Sequence, residues 1–400
     1  MVATASTKAA IRAARGGPPA SAPPVTCLSP GYLLCDPPAR PRLHWPGPPE
    51  RAGTQLTAGR TAVRGTSNGR GGQRRGDVGE DVSGESPTLR QVGEFGVIER
   101  LVRDRRQPAA VTLGPGDDGA VVSGSDERTV VSIDMLVQDR HFRLDWSTPY
   151  DVGRKAIAQN AADIEAMGAR PTAFVVGFGA PGDTPEAQAG ALVDGMWDEA
   201  QRVGAGIAGG DLVSCPQWVI SVTVLGDLEG REPVLRSGAR SGSVLAVAGD
   251  LGRSAAGYEL WRRGIEDFDG LRHRHLVPLP PYGEGAMAAA GGATAMIDVS
   301  DGLVADLRHV AEASGVTIDL STEALALDHD AVSQAAEAVG ADPWAWVLGG
   351  GEDHALAACF ADAVPPGWRV IGHVLEGPGR VLVDGKEWEG YAGWQSFEES

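Results

Sequence analysis

Apolar side chains follow two rhythms between residues 93 and 385 and neither rhythm before them. In GEFGVIERLVRD, Phe95, Ile98, Leu101 and Val102 recur at helical spacing and predict a short amphipathic helix. The runs GAVVSG and TVVSIDMLV predict strands, and a long helix follows over 151–167, entered through the extended Thr148-Pro149. The strand PTAFVVGFGA, the helix PEAQAGALVDGMWDEAQRVG and the strands AGIAGG and PQWVISVTVLGDL complete a first series. After the Arg- and Gly-rich turn REPVLRSGARSGS, a second series starts at the strand SVLAVAGD. It continues through helices at 254–263 and 283–290, the strand TAMIDVS, a helix over 302–313, the strand VTIDL and a helix over 331–339. The strands HALAACF, WRVIGHV and RVLVDG close it. Strands and helices interleave throughout, so the expected class is α/β with mixed sheets, in two domains, 87–230 and 231–400.

Residues 1–86 fit neither period. PPASAPP, ARPRLHWPGPPE and RGTSNGRGGQRRG are too poor in apolar surface to offset the entropy of ordering, which predicts a disordered Gly/Pro/Arg-rich extension. Charge divides at the same place: 1–86 hold 11 Lys+Arg against 6 Asp+Glu, about +5, leaving about −23 of the net −18 on the remainder. So acidic a body is not expected to bind nucleic acid or an anionic membrane. No apolar h-region follows Lys8, Arg12 and Arg15, and no run reaches bilayer-spanning length. Cys27, Cys35, Cys215 and Cys359 show no metal-ligand spacing, which fits a reduced, cytoplasmic protein.

The candidate chemistry is carboxylate. Six aspartates stand beside glycine, at the ends of apolar runs or on a helix: Asp118 in GPGDDGAVV, Asp134 in VVSIDMLV, Asp163 in NAADIEAMGA, Asp211 in AGGDLV, and Asp298 and Asp301 in IDVSDGL. Asp134 interrupts an apolar strand, where an unpaired carboxylate is costly to bury. Asp163 lies on a helix with Asn160 three residues before it, and a solvated helix carboxylate is an equal reading. Asp298 closes a strand, while Ser300 and Asp301 precede a helix whose first N–H groups are expected to be free for an anion. Plain capping would explain Asp301 equally well. Converging carboxylates need a cation between them, and hard oxygen donors suit Mg2+ bridged to nucleotide phosphates. ATP would be held without a P-loop, because the only Gly-Lys pair, Gly385-Lys386, precedes Glu387. Gly204, Gly206 and Gly209 spell GxGxxG but run from helix into strand, the reverse of a dinucleotide site.

The order GEFGVIERLV, GPGDD, Ser132-x-Asp134, His141, NAADIEAMGARP, GGD, LRSGA, IDVSDGL, GGGED and a terminal GW-x-x-F resembles the thiamine-monophosphate kinase family, over residues 90–397. The resemblance implies the two-domain architecture of the aminoimidazole ribonucleotide synthetase superfamily and a homodimer formed through the first domain. It also implies Mg2+-dependent transfer of the γ-phosphoryl group of ATP to thiamine monophosphate, giving thiamine diphosphate. Matched position by position, Asp118, Ser132, Asp134, Asp163, Asp211, Asp298 and Asp301 take metal positions, and Ile133, where Thr is frequent, retains only its carbonyl. Gly210, Asp211, Arg236 and Ser300 match ATP contacts; His141, Glu352 and Trp394 match substrate contacts. Asp118, Asp134, Asp163 and Asp298 are the residues expected to carry catalysis.

Two alternatives remain at this level. A sibling enzyme would show Gly-Thr-Lys after the strand Asp, where this chain has MLVQDRHF, or a reactive Cys near the start of the body, which has none before Cys215. A non-catalytic metal- or thiamine-phosphate-binding protein would bind without forming ADP.

Overall fold

The computed structural model describes residues 87–92, 94–103, 105–113, 121–391 and 393, all within one compact unit, Gly79–Ser400. The predicted disordered extension, Asp118 and Trp394 lie outside the described residues.

The chain opens with α1 (Leu89–Val92), α2 (Glu94–Val102) and a small antiparallel pair, β1 (Val111–Leu113) and β2 (Val121–Val122). Next come β3 (Val130–Val137), α3 (Pro149–Ala166), β4 (Arg170–Ala180), α4 (Glu186–Val203), β5 (Gly206–Ser214) and β6 (Val219–Asp227). These strands form a four-stranded sheet in the order β3-β6-β4-β5, in which only the β4–β5 pair is parallel. Thr148 caps α3 through a reciprocal capping box with Asp151. Helices α3 and α4 touch backbone to backbone: a Cβ on Gly153 would stand 1.9 Å from the Leu192 carbonyl oxygen, and one on Gly195 would stand 2.0 Å from that of Tyr150.

The second series contains β7 (Val244–Ala248), α5 (Arg253–Arg263), α6 (Asp269–Leu276), α7 (Glu284–Ala290), β8 (Ala293–Val299), α8 (Leu303–Ser314) and β9 (Thr317–Leu320). It ends with α9 (Ala326–Val339), α10 (Pro343–Gly349), β10 (Ala355–Phe360), β11 (Arg369–Leu375), β12 (Arg380–Val383) and β13 (Lys386–Glu387). Its strands make a seven-stranded sheet in the order β13-β12-β9-β11-β7-β10-β8, mixed because β12 runs parallel to β9. The large core of this half lies between one sheet face and α5, α8, α9 and α10.

Helix α3 joins the two sheets. Ala156, Ile157, Ala161 and Ile164 pack into the core of the four-stranded sheet with Val222 and Val224. One turn further on, Ala166 packs with Ala246, Met296, Leu356 and Ala358 of the seven-stranded sheet. No helix among the described residues is long and apolar enough to cross a membrane.

Candidate active site

Strand alternation decides which carboxylates can meet. Ser132 and Asp134 pair across the ladder with Val224 and Val222, both buried against α3, so their side chains point at that helix. Asp298 pairs with Leu356, a member of the small core that holds Ala166, so it points at α3 from the other sheet. Asp163 lies on α3 between them. Ser132 donates its hydroxyl to Asp163 at 2.6 Å, Gln159 donates to Asp134 at 3.2 Å, and the Asp134 N–H donates to Asn160 Oδ1 at 3.0 Å. Asn160 thus clamps the strand to the helix.

The electrostatics follow from this convergence. Burial, then the charges of Asp298 and Asp134, push the Asp163 carboxyl up to about 7, against the Ser132 hydrogen bond and the more distant His354. His354, 5% exposed, stands 3.3 Å from Asp298; burial opposes its protonation, but Asp298 together with Glu352 and Asp134 raises its pKa above 6.5. It is a basic side chain that the fold sets beside Asp298. Among the described residues no three His, Cys, Asp or Glu side chains stand close enough to hold a metal ion unaided. The donor set nevertheless fits Mg2+, which takes hard oxygens, retains waters and completes its shell with substrate phosphates. Mutual repulsion at Asp163 is the penalty that such an ion removes.

The IDVSDGL segment differs from expectation. The N–H groups of Ser300, Asp301 and Gly302 all donate to Asp306 Oδ2, at 3.0, 3.1 and 3.0 Å. The three loop N–H groups that lead into α8 are therefore taken up by the protein's own Asp306. GGGED packs against this loop with no room for side chains: a Cβ on Gly351 would stand 2.6 Å from the Ser300 carbonyl oxygen. Beyond the glycines, Glu352 and His354 adopt positive φ of 63° and 53°, strained for residues with a Cβ. The Glu352 N–H donates to Ser300 O and the His354 N–H to Val299 O, both at 2.8 Å, which holds them there.

A second charged cluster adjoins the first. Glu352 meets the Lys155 ammonium at 3.0 Å and His275 Nδ1 at 3.4 Å. Burial works to raise the Glu352 carboxyl, but Lys155 and His275 prevail and hold it at about 2. His275, pushed down to about 4 by burial and Lys155, packs edge-on against Trp146 and Tyr258. His141 accepts the Val137 N–H at 3.0 Å and lies near enough to feel both Glu352 and Lys155.

Other anticipated residues stand apart. Asp211 aligns across the sheet with Gly177, Ser221 and Met135, so it projects from the face opposite Asp134, on the far edge strand. Gly210 is needed for packing, since a Cβ there would stand 2.1 Å from the Val176 carbonyl oxygen. Ile133 is 59% exposed on the face that carries Asp211. Arg236 begins a short 3-10 turn (Arg236–Gly238) and is exposed. Sequence reasoning missed Lys155, His275, His354 and Asp306. Of these, Lys155 alone gave a signal, a lysine opening the alanine-rich KAIAQNAA stretch.

The fold, two mixed sheets bridged by a helix, falls in the class of AIR synthase-related proteins: the family model "AIR synthase related protein, N-terminal domain" matches residues 116–228. The thiamine-monophosphate kinase of Mycobacterium tuberculosis (strain ATCC 25618 / H37Rv) is 77% identical over 315 residues, covering 79% of this chain and 95% of its own. That of Corynebacterium glutamicum is 43% identical over 324 residues, 78% of this chain and 96% of its own. Among solved structures, AaThiL complexed with AMPPCP and TMP superposes with a TM-score of 0.63 at 31% identity, covering 78% of this chain and 99% of that one. The chain belongs to the thiamine-monophosphate kinase family and is an enzyme, a kinase.

Proposed function

We propose that the protein transfers the γ-phosphoryl group of ATP directly to the phosphate of thiamine monophosphate, forming thiamine diphosphate and ADP, with Mg2+ in the acidic centre. The observation that carries this reading is the convergence of Asp134, Asp163 and Asp298 from two sheets and one helix. Phosphoryl transfer asks a protein for positioning and charge neutralisation, and these aspartates are the groups that would hold Mg2+. When bound, the ions neutralise the developing charge on the phosphates.

The protein's own part is placement. Ser132 and Asn160 fix Asp163 and Asp134, and Asp306 fixes the loop that carries Ser300 and Asp301. His141 and Glu352 border the place proposed for the thiamine moiety. The acceptor phosphate, with a second pKa of about 6, is already nucleophilic near neutral pH, so no strong general base is required.

The assembly we propose is a homodimer. Val131 (59% exposed), Ile133 (59%), Met135 (52%) and Val213 (52%) form an apolar face on the four-stranded sheet, larger than scattered exposed side chains provide. Asp211 opens onto the same face, so its part in ATP or metal binding is proposed at the subunit boundary. The net negative charge of the body supports an enzyme that binds neither nucleic acid nor an anionic membrane, and we propose that it is cytoplasmic.

The test is ADP release with ATP, Mg2+ and thiamine monophosphate, each omitted in turn, with free thiamine as control. ADP formed only when all three are present, with thiamine diphosphate found by mass, supports the reading. ADP without the acceptor points to a sibling enzyme, and binding without ADP to a non-catalytic role.

A further inference from the structure

Lys155 is buried in α3, 2% exposed, and it is one of only two lysines in residues 87–400. Its ammonium has two partners, Glu352 Oε1 at 3.0 Å and the His275 carbonyl oxygen at 3.3 Å. Glu352, in turn, is strained at φ 63° and holds Lys155 with one oxygen and the His275 ring with the other, while a third of its side chain remains open to solvent. A helix of the first series thus fixes a carboxylate on a loop of the second. We infer that Lys155 is a positioning residue for substrate recognition: its ammonium holds Glu352 in place, so that the carboxylate accepts from the amino group of the pyrimidine ring of thiamine monophosphate.

This inference rests on the function proposed above. An ionised carboxylate is acceptor-only, with about four lone-pair positions, so two partners leave acceptor capacity for an amine. Without the ammonium, the carboxyl loses the partner that most opposes its burial, so its pKa rises from the depressed value, and any proton it takes up removes that capacity. The charged and titratable groups facing Glu352 are Lys155 from α3, His275 from α6, His141 from the turn after β3, and His354 beside it. Asp250, Arg253, Arg274 and Asp353 line a small cavity with it, and both arginines are already paired with Asp250.

The experiment measures kcat and KM for thiamine monophosphate across about pH 6 to 9 in the full-length wild type and in Lys155→Met, Lys155→Arg, Glu352→Gln and the double variant Lys155→Met/Glu352→Gln. The expected result is a KM raised about tenfold or more by Lys155→Met, with kcat changed far less, the defect shrinking as pH rises and Glu352 ionises. Glu352→Gln should raise KM at every pH. In its presence Lys155→Met should add almost nothing, because both act through one group. Lys155→Arg keeps the charge and should recover part of the affinity, which also covers the case in which Lys155→Met fails to fold. A pH-independent defect, additive effects, or a loss in kcat alone would overturn the inference. An inactive wild type would instead overturn the proposed function.

Discussion

The two charged clusters flanking α3 are a few residues apart and electrostatically opposite. Around Asp163, carboxylates from both sheets face one another and burial, with its neighbours' charge, drives that carboxyl up to about 7. Around Glu352, one carboxylate meets an ammonium and an imidazole, and its carboxyl is held at about 2. The first cluster sets several carboxylates against one imidazole, His354, and stays short of positive charge, whereas the second is balanced by the fold itself. The groups proposed to bind metal and phosphate are left under repulsion, while the group proposed to read an uncharged donor has its charge balanced in advance.

The comparison breaks most sharply at Asp163. Asp163→Asn should lower kcat by roughly 100-fold or more, with a smaller effect on KM, as expected for a group stabilising the transition state. The same change should raise the stability of the metal-free protein by about 1 kcal/mol at about pH 8, because it removes repulsion. Steady-state kinetics and thermal melting check the two signs together. Near-normal turnover would count against a metal role.

Lys155→Met should act in the reverse sense on stability, costing about 2 kcal/mol, less than a fully buried pair because Glu352 is partly solvated. Denaturant titration measures it, and no loss would mean that the pair is not the balancing element. The pH dependence of the second cluster follows from the depressed carboxyl. Its contribution is present above the ordinary carboxyl pKa of 4.5 and is lost as pH falls from there toward about 2. The stability gap between wild type and Glu352→Gln should therefore close over that interval in acid titrations, and a constant gap would contradict it. The smallest effect on the chemistry of either cluster should come from Val131→Lys, on the exposed face of the sheet. It should shift sedimentation toward monomer, and an unchanged dimer would place the interface elsewhere.

Two members of the first cluster were legible because each breaks a pattern: Asp134 interrupts an apolar strand and Asp298 ends one, whereas Asp163 reads equally well as a solvated helix carboxylate. The helix over 149–166 was legible from its extended entry and its small, apolar face. The second cluster was hidden for a physical reason. Lys155, His275 and Glu352 come from distant segments, and α6, DGLRHRHL, buries only Leu276, so it shows no apolar stripe. α10 is seven residues long, too short for its period to register. The separation of Asp211 from Asp134 depends on strand register and on an irregularity between Phe174 and Val175, which local composition does not encode. The bonding of the loop before α8 to Asp306 was likewise obscured, because Ser300 and Asp301 gave a sufficient local reading on their own.

Carboxylates from both sheets converge on α3, where we propose that they carry metal-dependent phosphoryl transfer. The most direct test is the rate of thiamine diphosphate formation as a function of Mg2+ concentration in the wild type and in Asp298→Asn. The account predicts no product without Mg2+, ADP and thiamine diphosphate in equal amounts with it, and a variant whose turnover collapses and whose Mg2+ requirement rises. Wild-type turnover and an unchanged Mg2+ dependence in Asp298→Asn would contradict it.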